Sequence, residues 1–434
     1  MIKEFLRTIV ITILRAEADI VIRKYRPKIV GVTGNTGKTS TKDAVYAVLA
    51  TTYRVRKSQK SFNSEIGVPL TILGCETGWN NPLLWIYNIG YGLMIIIFPH
   101  RYPEWLVLEM GADRPGDIKA LCGWLPLDIA VVTNIGDVPV HIEFFKSKEQ
   151  LAEEKAHLLR ALKSDGVAVL NFDDSLVKNM RGHNHHQAVT YGFTADAQVR
   201  ASHDRVLYHI SGDQELPEGI SFKITMNGTT APARIKGIFG KHHVYAALAA
   251  IAVGTIEKIN LATMLEALQE YEKAPGRLRL IAGEKGSMIL DDTYNAAPLA
   301  TERALESLAT LRTTGRRIAI LGDMLELGEH TVPTHERIGR LAAKSCDLLV
   351  TSGQRARFIA DGAREAGMAP GSIQSFDISS EASEYVEPLI QPGDLVLVKG
   401  SQGARMERVV LDLMAHPEDA PALLVRQEKE WQNR

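Results

Sequence analysis

Cysteine is scarce in this chain. Its 434 residues include only Cys75, Cys122 and Cys346. These cysteines are odd in number and widely scattered, which excludes a disulfide framework and gives none of the paired spacing of a zinc site. We therefore expect reduced thiols in a cytoplasmic protein.

The chain also lacks an excess of charge of either sign. Its 50 basic and 51 acidic residues nearly cancel, and no basic block is interleaved with aromatic residues. Because nucleic-acid binding requires a basic footprint, we expect no nucleic-acid partner. The sequence has no internal repeat and no low-complexity tract. Its composition, 45% hydrophobic and 23% charged, is typical of a globular enzyme.

A long uninterrupted apolar run is missing as well. The most apolar stretch, residues 83–98, is slightly short for a membrane span and contains Asn88 and Gly90. The segment before Tyr25 carries many charges and no cleavage site, which predicts an amphipathic helix rather than a signal peptide. For residues 83–98 we favour a buried or interfacial helix over a true span. Such a helix would be packed on the protein or in peripheral contact with the inner face of a membrane.

A glycine-rich segment near the start of the chain has the spacing of a nucleotide phosphate loop. It reads Gly31-Val-Thr-Gly-Asn-Thr-Gly-Lys-Thr39, after a β-branched run that predicts a strand and before a helical run at 42–49. We expect the loop amides to surround phosphate oxygens, with Lys38 on the β- and γ-phosphates and the Thr39 hydroxyl on Mg²⁺. The predicted nucleotide-binding residues of the loop are Gly34, Asn35, Thr36, Gly37, Lys38, Thr39 and Ser40.

Strand-like and helical runs alternate along most of the chain, which predicts an α/β fold. We expect residues 1–27 to form an N-terminal amphipathic helix. We expect residues 28–275 to form a central ATP-binding domain with a parallel sheet like that of P-loop ATPases. Within it, residues 188–236 alternate apolar and polar positions and predict an antiparallel β subregion. A break at 274–277 predicts a hinge, followed by a Rossmann-like C-terminal domain over residues 276–434.

Polar residues at predicted strand ends are the candidates for chemistry. Glu109 ends a strand beside the phosphate loop, where a carboxylate suits Mg²⁺; capping of the next turn is the alternative. His141 is a candidate partner of Glu109 at a second Mg²⁺, although its pattern is also that of a surface loop residue. Lys155 lies in a highly charged helical stretch, and this pattern predicts a solvated lysine.

Three further polar segments directly follow predicted strands in the predicted C-terminal domain. Asp291–Asn295, Gly322–Leu327 and Lys399–Met406 each follow an apolar run. Because parallel strands end at one edge of their sheet, these segments predict a binding face, although each alone is also typical of a turn.

Taken in order, these motifs resemble those of the Mur ligases, the ATP-dependent amide-forming enzymes of peptidoglycan precursor synthesis. Within that family the resemblance is to the branch that adds D-alanyl-D-alanine. The motifs are Gly31–Thr39, Asn63–Pro69, Glu109–Ala112, Thr133–Gly136, Gly276–Leu278, Asp291–Asn295, Gly322–Gly328 and Lys399–Ser401. Together they cover about residues 28–415.

The resemblance implies a mechanism and roles for the matching residues. An acceptor carboxylate would attack the γ-phosphate of ATP, and the amine of D-alanyl-D-alanine would then displace phosphate from the acyl phosphate. Lys38, His141 and Lys155 would be catalytic, with Lys155 at a position where many family members carry a carbamylated lysine. The other implied contacts are Thr39, Glu109 and His141 with Mg²⁺, Asn295 and Arg277 with the nucleotide, and Asn63, Ser64 and Glu65 with substrate.

The sequence departs from the family pattern at three places. The phosphate loop begins at Gly31, which we expect to leave no room for an N-terminal domain that grips a UDP-sugar. Two family asparagines are lost in His242–Leu248, and the apolar insertion 79–102 is not part of the common core. These departures suggest a shortened or membrane-associated acceptor.

Two other functions stay open at the level of sequence. One is a related ligase with a polyglutamate- or cyanophycin-type acceptor, and the other is a non-catalytic ATP-binding scaffold. In each case we expect a monomer with small-molecule ligands.

Overall fold

Two β-sheets covered by helices organise the chain. The computed structural model describes residues 2–59, 62–181, 186–211 and 214–432. The predicted α/β class is confirmed, while the domain boundaries near residues 27 and 275 stay predictions. Met1 and residues 433–434, which belong to the predicted first and last segments, lie outside the described residues.

Nine strands of the described chain form the first sheet, in the spatial order β2-β3-β1-β4-β5-β6-β7-β8-β9. Neighbours are parallel from β2 to β7, while β7, β8 and β9 are antiparallel. The antiparallel part predicted over residues 188–236 therefore begins only at β7, because the strand at 187–192 pairs parallel with both neighbours. The strands are β1 Lys28–Thr33, β2 Val55–Lys57, β3 Trp105–Glu109, β4 Leu127–Val132, β5 Leu162–Asn171, β6 Gln187–Gly192, β7 Val199–Ser211, β8 Gln214–Met226 and β9 Thr229–Lys236.

The second sheet has six strands within the same described ranges, in the order β10-β11-β15-β12-β13-β14. Its strands are parallel except for β10, which pairs antiparallel with β11. They are β10 Arg279–Ala282, β11 Met288–Asp292, β12 Arg317–Gly322, β13 Leu348–Ser352, β14 Ile373–Phe376 and β15 Leu395–Lys399.

Helices connect the strands and cover both sheets. They are α1 Ile2–Tyr25, α2 Lys38–Ala50, α3 Gly67–Leu73, α4 Pro82–Ile97, α5 Asp117–Cys122, α6 Lys148–Arg160, α7 Ser175–Met180, α8 Lys241–Ile256, α9 Leu261–Gln269, α10 Pro298–Thr310, α11 Thr331–Ser345, α12 Arg357–Glu365, α13 Ser379–Val386, α14 Glu407–Leu413, α15 Ala420–Leu423 and α16 Lys429–Gln432. Helix α2 begins at Lys38 rather than at the predicted residue 42, because the phosphate loop leads directly into its first turn.

The first sheet is buried on both faces, as the apolar composition of its parallel strands requires. Along β1 the side chains alternate: Ile29 packs in a cluster with Leu14 of α1, whereas Val30 and Val32 pack in a second cluster with helices α2 and α8. Helix α8 consists largely of buried small and branched residues, so it lies close against α2. The packing of helices on both faces of the sheet holds in place the strand ends that carry the phosphate loop and Glu109.

Helices α1 and α4 pack together on the outside of the first sheet, and both contact α3. Residues 83–98, predicted as a buried or interfacial helix, therefore form α4 with one face on the protein. Among the described residues, no helix is both long enough and apolar enough to cross a membrane.

We expect Trp105→Ala to lower the free energy of unfolding by about 3–5 kcal/mol, because a large cavity would form in the second cluster. Trp105 is 1% exposed at the start of β3, with Tyr53 at 6.1 Å between ring centroids. Urea denaturation would measure the loss. The matched control is Ile378→Ala at a position 56% exposed, with a change within about 0.5 kcal/mol. A loss below about 1 kcal/mol for Trp105→Ala would contradict this packing.

Candidate functional site

A cavity of about 460 Å³ lies between the two sheets. Its walls come from segments that follow the carboxyl ends of β1, β3 and β4 on one side and of β11, β12 and β15 on the other. Ligand sites of open parallel sheets lie at such strand ends. The three polar segments predicted to follow strands of the second sheet therefore face the phosphate loop across one cavity.

The phosphate loop has the backbone conformation that its glycines allow. Gly34 has φ +143°, and a Cβ there would lie 1.9 Å from the Thr133 hydroxyl oxygen. The amide of Asn35 donates to the Asn134 carbonyl at 2.6 Å, and the Thr36 hydroxyl donates to the Asn134 side-chain oxygen at 2.7 Å. The segment after β4 thus holds the loop open around the N-terminus of α2, a favourable position for phosphate.

Two lysines from different helices converge on one carbonyl group of this loop. Lys38 Nζ donates to the Gly34 carbonyl at 3.0 Å, and Lys155 Nζ donates to the same oxygen at 3.2 Å. Burial lowers the pKa of Lys38, and burial together with the charge of Lys38 lowers the pKa of Lys155 to about 7. Lys155 is 1% exposed, so the pattern-based prediction of a solvated lysine is wrong.

Thr39 and Glu109 form an oxygen-rich pair beside the two lysines. The Thr39 hydroxyl donates to a Glu109 carboxylate oxygen at 2.9 Å, and the Asn63 amide donates to the other at 3.2 Å. Hydroxyl and carboxylate oxygens suit Mg²⁺, so this pair fits the predicted metal. Within the described ranges, no three or more His, Cys, Asp and Glu side chains are grouped to hold a metal ion. Phosphate and water oxygens would have to complete the coordination.

His141 lines the same cavity but faces a different set of partners. Its Nε2 lies 3.4 Å from Asp113, and its Nδ1 lies 2.5 Å from Glu326, which follows β12. Burial outweighs the attraction of Asp113 and lowers the pKa of His141 to about 4. Burial and the charge of Asp113 raise the pKa of Glu326. Glu109 and His141 both line the cavity, and the second Mg²⁺ site predicted for this pair stays a prediction.

The hinge contributes an arginine that reaches across to the phosphate loop. Arg277 donates to the Thr39 hydroxyl at 3.1 Å, and its guanidinium carbon lies 3.9 Å from the centre of the Tyr294 ring. Asp291 holds the hinge because its carboxylate accepts from the Gly276 amide at 3.1 Å. Burial raises the pKa of Asp291 to about 6. These contacts tie the second sheet to the helix that carries Lys38.

A buried ion pair supports the far wall of the cavity. Lys399 lies 2.7 Å from the Asp292 carboxylate and donates to the Asn295 carbonyl at 2.8 Å. Burial lowers the pKa of Lys399 against the raising effect of Asp292. The pair fixes the loop after β11, and this loop presents Asn295 to the cavity as predicted.

The predicted substrate segment is only partly in the cavity. Asn63 lines it, but Ser64 accepts from the Gly67 amide near the start of α3, and Glu65 pairs with Arg7 of α1 at 3.0 Å. Sequence reasoning also gave no role to Asp113 and Tyr294, which line the cavity. Asp113 directly follows one of the motifs and Tyr294 lies inside another. Their position in the sequence could therefore have indicated that they line the site.

Arg426 is a supporting residue with no motif to reveal it. Its guanidinium donates to the carbonyls of Thr293 and Tyr294 and pairs with Glu407 at 2.8 Å. It thereby fixes the backbone of the tyrosine on which Arg277 stacks. A separation of more than a hundred residues hides this contact from sequence patterns.

Comparison with protein families gives two matches. Residues 87–254 match the Mur ligase middle domain, and residues 276–402 match the Mur ligase, glutamate ligase domain.

Curated relatives are similar over most of the chain. The UDP-N-acetylmuramoyl-tripeptide–D-alanyl-D-alanine ligase of Bacillus subtilis (strain 168) is 32% identical, covering 94% of this chain and 80% of the relative. The enzyme of that name from Mycobacterium tuberculosis (strain H37Rv) is 32% identical over 89% of this chain and 73% of its own.

Solved structures give the same fold. MurF from Acinetobacter baumannii superposes with a TM-score of 0.76 at 23% identity, covering 93% of this chain and 80% of its own. The MurF ligase of Thermotoga maritima in complex with ADP has a TM-score of 0.74 at 25% identity, covering 92% of this chain and 82% of its own.

The burial of Lys155 predicts a pH-dependent contribution to stability. Because its pKa falls from 10.5 to about 7, the unfolded state holds more protons between those values. The Lys155 contribution to the free energy of unfolding should rise with pH there, by up to about 1.4 kcal/mol per pH unit. We expect Lys155→Met to stabilise the protein most near pH 7, with a gain that shrinks toward pH 10. Urea denaturation in CO₂-free buffer would measure this.

Lys344→Met, at an exposed position on α11, is the matched control and should leave the pH slope unchanged. Equal slopes for wild type and Lys155→Met would contradict the buried, neutral amine.

Proposed function

The chain belongs to the Mur ligase family, and from this premise we propose that it is an ATP-dependent amide ligase. The acceptor would be a muramoyl-tripeptide-type carboxylate, the amine would be D-alanyl-D-alanine, and the other products would be ADP and phosphate. The observation that carries the proposal is the pair of lysines, Lys38 and Lys155, at one carbonyl of the phosphate loop. Two basic side chains held next to each other favour a polyanion between the sheets.

The nucleotide would occupy the phosphate loop with its phosphates at the N-terminus of α2. The loop amides from Gly37 to Ser40 would donate to phosphate oxygens, and Lys38 would neutralise charge on the β- and γ-phosphates. Arg277 is placed to do the same from the hinge, since its guanidinium already reaches Thr39. Asn295 and His242, which line the far wall, are our candidates for the contacts with the nucleoside.

Mg²⁺ would be held by the Thr39 hydroxyl and the Glu109 carboxylate. When bound, it would neutralise charge on the transferring phosphoryl group. The amide of Asn63 would keep the Glu109 carboxylate turned toward Thr39, because it already donates to the second carboxylate oxygen. His141, with its pKa lowered by burial, would be a neutral imidazole at pH 7 and available for a hydrogen bond.

The chemistry would proceed in two displacements. An acceptor carboxylate oxygen attacks the γ-phosphorus, the bond to the ADP oxygen breaks, and an acyl phosphate forms. The amine of D-alanyl-D-alanine then attacks the acyl carbon, loses a proton, and expels phosphate with the bridging oxygen. Both steps depend on positioning and on stabilising developing negative charge, which the cationic side of this cavity supplies.

Lys155 would act after reaction with CO₂. An amine with a pKa of about 7 is about half uncharged at neutral pH, and the uncharged form is nucleophilic toward the carbon of CO₂. An N–C bond forms, a proton leaves, and the carbamate anion replaces a cation next to Lys38. The repulsion between the two lysines then becomes an attraction, which is the physical reason to expect the modification.

The carbamate is testable by ¹³C NMR of protein equilibrated with ¹³C-labelled bicarbonate. We expect one slowly exchanging carbamate resonance that disappears in Lys155→Met and persists in Lys344→Met. A spectrum identical for Lys155→Met and wild type would contradict the assignment.

The proposed reaction is tested by phosphate release with ATP and defined acceptors. We expect release only when D-alanyl-D-alanine and a muramoyl-tripeptide acceptor are both present, with one amide formed per ADP. Free tripeptide and UDP-linked tripeptide should be compared with oligoglutamate acceptors. Turnover confined to oligoglutamate would assign a different acceptor, and ATP binding without any turnover would favour a scaffold.

The substitution Lys38→Met tests the role of the loop lysine in the phosphate-release assay. We expect kcat/KM to fall by about 10²–10³-fold, because one fixed positive charge on the transferring phosphoryl group is lost. Lys344→Met is the matched lysine control and should keep wild-type turnover.

A further inference from the structure

Helices α1 and α4 pack against each other, and both expose large apolar side chains. We call these exposed side chains together the α1–α4 surface. Its large side chains are 39–72% exposed. They are Leu6 and Ile9, with Ile20 further along α1, and Leu83, Leu84, Ile86, Tyr87, Leu93, Met94, Ile97 and Phe98 on and just after α4. Soluble monomers seldom expose so large a contiguous apolar area without a binding role.

Helix α4 turns its polar residue inward and its apolar residues outward. Asn88, Gly92 and Ile95 form the buried face, and the Asn88 amide donates to the Glu76 carbonyl at 2.8 Å. The helix contains no charged residue. Its most exposed side chains are hydrocarbon or thioether except for the Tyr87 hydroxyl. This polarity is the reverse of that expected for a surface helix facing water.

The exposed apolar stripe of α1 borders α4. Leu6, Ile9, Ile13 and Ile20 recur at helical spacing on one side of α1. Lys24, which follows Ile20 by one turn, donates to the carbonyls of residues 95, 96 and 98 at 2.9–3.1 Å, so this side of α1 adjoins the end of α4. The two helices therefore present one face.

Basic side chains lie at the carboxyl end of α4. Lys24, Arg26, His100 and Arg101 are all exposed there, and Arg26, His100 and Arg101 border one shallow depression. Glu104 is the acidic residue in the lining of this depression. A mainly basic rim at one end of an apolar face matches the negatively charged headgroup layer above the acyl chains of an anionic membrane.

We propose that the α1–α4 surface docks peripherally on a bilayer that contains anionic lipid. A protein partner fits the surface less well, because protein interfaces carry about one hydrogen bond per 100–200 Å² and this face offers almost no donors or acceptors. The tryptophans Trp79 and Trp85 at the amino end of α4 suit the level of the headgroups. Docking of this kind requires no spanning helix.

The α1–α4 surface adjoins the predicted substrate segment, residues 63–65. Arg7 of α1 pairs with Glu65, two residues from the cavity-lining Asn63. At the other end, Trp79 meets the Trp431 ring of α16 edge-on at 6.3 Å between centroids. Membrane docking would thus hold the predicted substrate segment, residues 63–65, close to the lipid surface. The docking itself is independent of the proposed ligase reaction.

Flotation of the full chain with vesicles tests the inference. We expect binding to phosphatidylcholine–phosphatidylglycerol vesicles at 3:1, weaker binding to phosphatidylcholine alone, and a decrease at high salt as the basic rim is screened. Ile86→Glu combined with Leu93→Glu should reduce the partition coefficient by about tenfold or more, because two carboxylates would enter the apolar layer. Both side chains are exposed, 66% and 48%, so the fold should tolerate them.

Ile378→Glu combined with Ile210→Glu is the matched control, since both side chains are exposed on other elements, and it should float like wild type. Wild type that stays with the unbound fraction on both vesicle types would overturn the proposal. So would a doubly substituted α4 variant that floats like wild type. Sedimentation velocity gives a further check: a wild-type dimer that this variant converts to monomer, without vesicle binding, would assign the face to a second copy.

Discussion

The Gly34 carbonyl, shared by two lysines, is the constraint on which the site depends. Lys38 comes from the first turn of α2 and Lys155 from the middle of α6, and both ammonium groups donate to this one oxygen. Lys155 is buried by the first sheet and its helices, and Lys38 is partly buried where it lines the cavity. Burial and then the charge of Lys38 lower the pKa of Lys155, and the two basic side chains together favour negative charge at the site. Nucleotide phosphates and a carbamate are two ways to supply it.

Each of the two sheets supplies residues that surround this carbonyl group and the phosphate loop. The first sheet supplies a rigid loop, held open by Asn134, and a carboxylate at the end of β3. The second sheet supplies a hinge arginine that stacks on Tyr294 and reaches Thr39. Since Arg277 sits at the junction between the two halves, a change in the angle between the sheets would alter the charge around the phosphate loop. Binding of nucleotide and relative position of the sheets are therefore physically coupled.

Sequence reasoning located most of this architecture because strand ends and glycine loops leave local signals. The three polar segments predicted to follow strands of the C-terminal domain lie at the ends of β11, β12 and β15, and Glu109 lies beside Thr39 as expected. Lys155 was misjudged from its pattern, because a buried lysine among charged helical neighbours has the same local sequence as a solvated one. The contacts of Glu65 with α1 and of Arg426 with Tyr294 join distant segments, and no local periodicity encodes them.

The central claim is that the acceptor carboxylate becomes an acyl phosphate within this cavity. The most direct test is a reaction with acceptor labelled with ¹⁸O in both carboxylate oxygens, followed by mass spectrometry of the products. The account predicts one ¹⁸O in each released phosphate and one in each amide, because the bridging oxygen leaves with phosphorus. Phosphate that carries no ¹⁸O, released together with amide, would contradict the account.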